Sequence, residues 1–323
     1  DSKSVALSGA APDLFRIWAV RWLSRDMTTS PEIVLDLIDA FRRSKTMFAA
    51  VELGIFDGAR PAGHKELPRL LDACVSLGLL EKQGEEYRNS AVAEKYLKTS
   101  SPDTLSGYVR YSNRALYPMW AHLEDAVREG THRWTQTFGL DGSLFSMFFR
   151  DEESAKEFLL GMHGFGQLTS ESVVTAFDLS RFHRLVDLGG ATGHLAAAAR
   201  ARYPHLEAIT FDLPAVARLF PQVTPGDFFT DPLPESDLYA LGRILHDWAE
   251  EKIRALLLKI CAALPAGGGL LLAEKILRED KPGPAHANMQ SLNMRVVTEG
   301  RERTLSEYRA LLEEAGFTSV EGR

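Results

Sequence analysis

Apolar residues recur at helical spacing early in the chain, first as Leu14, Ile17, Trp18 and Trp22 with Arg21 among them, then as Ile33, Val34, Leu37, Ile38 and Phe41. A recurrence at i, i+3 and i+4 predicts amphipathic helices. The first is read as packing on the second rather than lying on a membrane surface. The second has a clear start, with Ser30 as its cap and Pro31 in its first turn, and runs to a break at Gly54. In RLLDACVSLGLLEKQGEEYRNS the period changes: a helix, a short strand from Leu79 to Lys82, a turn at Gly84 and a strand around Tyr87. A helix followed by a small hairpin is a winged-helix pattern. Ser100, Ser101 and Pro102 mark a boundary, beyond which mainly helical segments follow, among them MWAHLEDAVREG and EFLLGMHGFGQLTSESVVTAF.

From His183 the rhythm changes again. RLVDLGG, EAITFDLP, DLYALGRIL and GGLLLAEKIL read as strands, and HLAAAARARYP and EEKIRALLLKICAALP as helices, the latter with Ile253, Leu256, Leu257, Ile260 and Leu264 inward. Strands alternating with helices specify an α/β fold with a parallel, doubly wound sheet. The chain thus divides into a tail with an extra helix over 1–29, a helical winged-helix-like domain over 30–105, and an α/β domain with leading helices over 106–323.

Composition narrows the class. With 323 residues, 45% of them hydrophobic and 25% charged, this is an ordinary globular protein. The net charge of −7, with no basic stripe interleaved with aromatics, argues against a nucleic-acid partner. The hairpin segment likewise lacks a basic recognition helix. No run approaches the roughly 20 apolar residues of a membrane span, and DSKSVALSGAAP lacks the pattern of a secretion signal. The expectation is a cytoplasmic protein with no membrane partner. Cys74 and Cys261, the two cysteines, both fall in apolar helical patterns and read as buried thiols.

Candidate chemistry gathers at strand ends. In VDLGGATGHL a buried strand ends at Asp187, and Gly189, Gly190 and Gly193 open the turn into a helix. Glycines let the backbone approach a ligand closely, and helix-terminal N–H groups hold anions. Such a turn alone is weak evidence. Asp212, followed by Leu213, ends the next strand roughly twenty residues on, where an acid accepts both ribose hydroxyls. A dinucleotide enzyme uses the same acid, so NAD is a rival. The turn reads Gly-Gly-Ala-Thr-Gly rather than Gly-x-Gly-x-x-Gly, which favours a methyl donor. In PGDFFTDPLP, Gly226 and Asp227 follow another strand, the carboxylate suited to an adenine amino group and Phe228 to the ring face. Taken singly, Asp227 reads equally well as a turn residue.

With these residues in place, the sequence resembles the family of small-molecule S-adenosylmethionine-dependent O-methyltransferases, in particular the acetylserotonin O-methyltransferase group. The resemblance is carried by AAVELGIFD, RLLDACVSLGLL, HLEDAVREG, VTAFDLS, DLGGATG, FDLP, GDFFTDPLPESDLY, RILHDW, SLNM and TEGRERT, in family order from about residue 30 onward. GDFF together with ILHDW and GRERT is the most specific combination. The resemblance implies a Rossmann-like catalytic domain, an N-terminal winged-helix-like domain that forms an intertwined homodimer, S-adenosylmethionine as cofactor, and no metal. By motif, Gly189, Asp212, Asp227, Phe228 and Arg243 look like cofactor contacts. His246 is similar to the family's catalytic base, Glu274 and Glu302 to the two acids flanking it, and Asp247 and Asn293 to substrate contacts.

The sequence departs from the family pattern in four places. It is short between GIFD and RLLDAC, short again between Phe220 and GDFF, and stops at GFTSVEGR ahead of the closing strands that relatives carry. Val297 stands where the melatonin-forming members have a polar side chain, and Phe149 where they have a tyrosine, which weighs against N-acetylserotonin itself as acceptor.

The chemistry suits a hydroxyl on a small aromatic molecule of hydroxyindole or phenol type. A phenol titrates near 10 and an imidazole near 6.5, so proton transfer to His246 is uphill by about 3.5 pK units, roughly 5 kcal/mol. A carboxylate on the far ring nitrogen, from Glu274 or Glu302, fixes the tautomer and narrows that gap. Plainer readings stand beside these: His246 as a helix-capping residue, Asp247 as an N-cap, and Glu302, between Arg301 and Arg303, as an exposed salt-bridging residue. Glu274 follows four apolar residues at a strand end, where pockets form. No histidine pair has metal-ligand spacing. Met289, Met294 and Trp120 read as pocket lining or as core. The alternative functions are a non-methylating family member that keeps the cofactor pocket as a binding or scaffold module and, more distantly, a DNA-binding regulator.

Overall fold

A computed structural model describes residues 31–60, 63–142 and 144–322. The expected helix around Leu14 to Trp22 and the Ser30 cap lie outside the described residues. Helix α1 (Glu32–Glu52) starts after Pro31 and buries Ala50 and Val51 near its end. Its first half leaves the apolar stripe open, with Ile33, Leu37 and Phe41 exposed by 65%, 67% and 51%. Gly54, at φ 66°, ends the run in a left-handed turn. Helix α2 (Leu67–Ser76) leads into the antiparallel pair β1 (Leu80–Gln83) and β2 (Glu86–Asn89), with Gln83 opposite Glu86. Phe56, Leu71, Cys74 and Leu80 close a small core with Ala50 and Val51.

That core is tied to the rest of the molecule by the helix Ser106–Tyr111. Val109 packs into the N-terminal core. On the same helix Gly107 lies so near helix α3 (Glu152–Ala176) that a Cβ would sit 3.0 Å from the Leu160 backbone. Asp151 caps α3 by accepting the Ser154 N–H at 2.7 Å.

The main sheet is built by β3 (Arg184–Leu188), helix α4 (His194–Arg202), β4 (Glu207–Asp212), β5 (Thr224–Pro225), β6 (Leu238–Gly242), helix α5 (Glu250–Ala263) and β7 (Gly269–Ala273). All its strands are parallel, in the order β5-β4-β3-β6-β7. The central strands are buried along most of their length (Leu185, Val186, Leu188, Tyr239, Ala240, Leu241) because helices cover both faces. The chain starts at β3, winds outward to β5, then returns to β6 on the other side. The crevice at the carboxyl ends of β3 and β6 is therefore the topological switch point, where open α/β sheets bind ligands.

Two expected strands are shorter than the sequence suggested. DLYALGRIL is strand only to Gly242, because Arg243 turns into the left-handed region at φ 58°. GGLLLAEKIL divides into β7 and β8 (Ile276–Leu277), which pairs in parallel with β9 (Arg303–Thr304) outside the main sheet. The cause is shared: Ala273 pairs with Gly242, and beyond that point the bend at Arg243 takes β7's partner away. Helix α6 (Ala285–Val297) precedes β9, and helix α7 (Leu305–Glu314) follows it with a capping box of Thr304 and Glu307. Along α5, Ile253, Leu256, Leu257 and Ile260 are buried as expected, while Leu264 falls just past the helix end. No described helix is long and apolar enough to cross a membrane.

Candidate active site

A cavity of about 890 Å³ opens at the switch point, walled by the sheet ends, α3, α6 and the helices between residues 106 and 148. One end is formed by the glycine turn after β3. Gly189 has φ 71°, and a Cβ there would meet Ile244 at 2.6 Å. A Cβ on Gly190 would lie 2.2 Å from the Asp187 carboxylate. Asp187 is buried and its Oδ2 has no partner among the described residues. Burial, with the Asp212 charge added, pushes its carboxyl up to about 7. Asp212 at the end of β4 accepts N–H groups from Ala191 at 2.8 Å and Leu213 at 2.7 Å, so it holds the turn in shape while lining the cavity. Burial outweighs those two bonds and lifts its carboxyl to about 6.

Leu213, Asp227, Phe228 and Arg243 line the same end. Asp227 accepts the Phe229 N–H at 2.8 Å. The Arg243 guanidinium stands over Phe165 at 5.0 Å, and burial lowers its pKa. Two glycines of the expected set do not reach the cavity wall. Gly193 is the left-handed residue opening α4, against Thr210, and Gly226 packs on Phe211, whose ring a Cβ would meet at 2.2 Å.

At the other end, His246 sits in a short 3-10 turn (Leu245–Asp247) just past β6 and is 5% exposed. Its Nδ1 lies 2.8 Å from Glu302 Oε1 and 3.2 Å from Glu274 Oε2. Glu274, at the end of β7, also accepts the Ile244 and Leu245 N–H groups at 2.9 and 2.8 Å, which fixes the turn. Ionised carboxylates only accept, so Nδ1 carries the proton and Nε2 is left as the basic nitrogen of a residue that lines the cavity. Burial alone would lower the His246 pKa, but Glu274, Asp247 and Glu302 together raise it to about 9. Asp247, 3.8 Å from Nε2, is itself pushed up to about 7 by burial.

These positions dispose of the plainer readings. Ala249, not His246 or Asp247, occupies the N-cap of α5. Glu302 is 0% exposed, far from a surface ion pair. The facing ligand atoms of His246, Glu274 and Glu302 lie within 4.8 Å of one another, a grouping that the sequence spacing gave no sign of.

Asn293, Met294, Val297 and Phe149 line the cavity, and Asn293 Oδ1 accepts the Trp120 indole N–H at 2.8 Å. Met289 is exposed and takes no part. The sequence reading missed Tyr108, Phe165, His194, Lys275 and Gln290, all of which line the cavity. Lys275 stands next to Glu274, but only the break between β7 and β8 turns it toward the site.

Two family models match the chain: an O-methyltransferase domain over residues 120–318 and an O-methyltransferase dimerisation domain over residues 35–99. The chain belongs to the O-methyltransferase family. It is 40% identical to acetylserotonin O-methyltransferase of Gallus gallus over 91% of this chain and 94% of that protein. It is 41% identical to the Homo sapiens protein of the same name, over 87% and 91%. Among solved structures, human N-acetylserotonin methyltransferase in complex with SAM superposes with a TM-score of 0.85 at 39% identity, covering 91% of this chain and 93% of that one. PigF with SAH gives a TM-score of 0.82 at 28% identity, over 90% and 94%. The doubly wound α/β class read from the sequence is the architecture of these methyltransferases.

Proposed function

We propose that this O-methyltransferase transfers a methyl group from S-adenosylmethionine to a hydroxyl of a small aromatic molecule of hydroxyindole or phenol type, with His246 as general base. The observation that carries this reading is the pair of short contacts from His246 Nδ1 to Glu302 and Glu274, which leaves Nε2 as the base in an 890 Å³ cavity.

The residues at the glycine turn fit the cofactor: the Asp187 oxygen that has no partner among the described residues, the close approach that Gly189 and Gly190 permit, and Asp212 at the strand end. Gly189, Gly190, Asp212, Leu213, Asp227, Phe228 and Arg243 would hold it, with Asp187, Gly193 and Gly226 shaping the turn and strand ends behind them. Bound there, S-adenosylmethionine supplies an electrophilic methyl on a sulfonium. The chain's own work is to align the hydroxyl and remove its proton at His246 Nε2. With His246 raised to about 9, a phenol at about 10 is far less uphill than the roughly 5 kcal/mol of an ordinary imidazole. Glu274 and Glu302 position and charge-stabilise the imidazolium rather than take its proton. Phe145, Phe149, Phe158, Met162 and Trp248 line the acceptor space and suit an aromatic ring. Asp247, Asn293 and Val297 are the remaining acceptor contacts of this reading.

The dimerisation-domain match and the open apolar stripe of α1 support a homodimer formed through the winged-helix-like segment. Free thiols at Cys74 and Cys261 suit a reducing, cytoplasmic compartment. The test is transfer of labelled methyl to a panel of hydroxyindoles, phenols and polyphenols, with and without a chelator. Label on one acceptor class, lost by about 10²- to 10⁴-fold in His246→Ala with cofactor affinity kept within a few-fold, is the expected result. Tight cofactor binding without label on any acceptor would favour the scaffold alternative.

A further inference from the structure

One wall of the acceptor space carries three donor side chains among apolar ones. On α6, Gln290, Asn293, Met294 and Val297 recur at i, i+3, i+4 and i+7 and all line the cavity, with Lys275 beside them from the break between β7 and β8. The amide orientations are fixed by chemistry. An indole N–H can only donate, so the Trp120 bond at 2.8 Å uses Asn293 Oδ1 and turns the Asn293 amino group away from it. A lysine ammonium can only donate, so its 3.2 Å bond uses Gln290 Oε1. Among the described residues the Gln290 amino group has only the Met294 sulfur at 3.9 Å, a weak acceptor. Each amide oxygen thus already accepts from a protein donor, and both amino groups are left with N–H groups to offer.

Lys275 supplies the charge. It is half-buried and, among the described residues, makes no ion pair; neither does Arg243. The two cations flank the Phe165 ring at 5.6 and 5.0 Å. Burial and the Arg243 charge lower the Lys275 pKa, while Glu302, the carboxylate in range, raises it but is bonded to His246.

We propose that this wall is the subsite for an acidic group on the methyl acceptor, a carboxylate carried on a side arm of the aromatic ring and held by Lys275, Gln290 and Asn293. The inference rests on the methyltransferase reading above and sharpens its acceptor class. A carboxylate offers only acceptors, about four lone-pair sites, to a wall that presents the Lys275 ammonium and two amide amino groups. An amine arm meets like charge. A neutral carbonyl satisfies one donor and leaves the ammonium without a counter-charge.

The test compares hydroxyindole acetic acid, its primary carboxamide and the corresponding hydroxytryptamine in the full-length chain. Binding is followed by tryptophan fluorescence and methyl transfer by label, for wild type, Lys275→Met, Lys275→Glu and Gln290→Glu. The acid is expected to bind at least about tenfold tighter than the amide, equivalent to about 1.4 kcal/mol. That ratio should collapse toward one in Lys275→Met and in Gln290→Glu, which seats a carboxylate against the lysine. In Lys275→Glu the preference should swing to the amine. Ratios within one preparation cancel any general loss of active protein, and Gln290→Glu leaves the lysine in place should its replacements fail to fold. Equal binding of acid and amide by the wild type, or an unchanged ratio across the variants, overturns the subsite. Label on the amide with no preference for the acid overturns it while leaving the methyltransferase reading intact. A lysine-dependent preference in binding with no label on any acceptor has the opposite meaning.

Discussion

Replacing Glu302 by glutamine separates charge from shape at the proposed base. The side chain is 0% exposed, and one of its oxygens sits 2.8 Å from His246 Nδ1 while the other has no partner among the described residues. Glu302→Gln keeps the volume and removes the charge. The glutamine oxygen still accepts from Nδ1, but the bond is no longer one to a charged group, a class that contributes about 1.5–3 kcal/mol. Removing the charge should bring His246 down by roughly one to two pK units. From about 9, the imidazole would then titrate at about 7 to 8, still held up by Glu274 and Asp247. The base works only when deprotonated, so the rate rises with pH through its pKa and levels off above it. In the wild type the plateau begins above about 9; in the variant it should begin at about 7 to 8. A weaker base lowers the plateau, by about three- to tenfold if half of the pK change reaches the transition state. At pH of about 6.5 the order reverses, because the variant holds a far larger fraction of free base. Initial rates of labelled methyl transfer at saturating substrates, across a pH range of about 6 to 10, would show the crossing. A variant slower by one constant factor at every pH would mean that Glu302 acts through geometry alone. A wild-type inflection near 6.5 would refute the raised pKa itself.

Other outcomes follow from the same geometry. Burial lifts the Asp212 carboxyl to about 6, and only the ionised form is a pure acceptor for ribose hydroxyls. Cofactor affinity measured by calorimetry should therefore fall as pH drops through about 6, whereas Asp212→Asn should bind at least about tenfold more weakly near neutrality; an Asn variant of unchanged affinity would contradict the assignment. Gly226→Ala drives a Cβ to 2.2 Å from the buried Phe211 ring, which should cost about 1–3 kcal/mol in thermal or denaturant unfolding while changing cofactor affinity little. A selective loss of cofactor binding would return Gly226 to the site. Leu37→Glu with Phe41→Glu places charges on the open face of α1 and should yield monomers in sedimentation experiments; dimers that persist would move the interface elsewhere.

The features legible in the sequence were those set by local periodicity and by chain order. The hairpin after α2, the alternation from β3 to β7 and the glycine turn follow from spacing that the fold cannot easily override. Asp187, Asp212 and Asp227 were readable as a set because a parallel sheet delivers successive strand ends to one edge. Gly193 and Gly226 show the limit of that reasoning. A glycine is required wherever backbone or side chains come close, and the sequence does not distinguish a ligand from Thr210 or Phe211 as the neighbour. Lys275 was missed for a related reason. Beside Glu274 in an apolar run, it read as part of a continuing strand, and only the loss of β7's partner at Arg243 turns the chain there.

The same break explains why Glu302 looked like a surface residue and is not. Once β7 ends, Ile276 and Leu277 are free to pair with Arg303 and Thr304, a register that carries Glu302 to the level of Lys275, one residue from Glu274. Gly300 lies against the His246 carbonyl, where a Cβ would stand at 2.1 Å. Arg303, 1% exposed, donates to the carbonyls of Arg301 at 3.0 Å and Leu245 at 3.4 Å. Gly300 and Arg303 thus hold the backbone of the His246 turn while Glu302, between them, holds the imidazole. A motif that reads as a charged loop is a clamp on His246. Glu302 and Arg303 are buried because one Glu302 oxygen meets the imidazole and the Arg303 guanidinium meets backbone carbonyls, while Arg301 stays partly exposed.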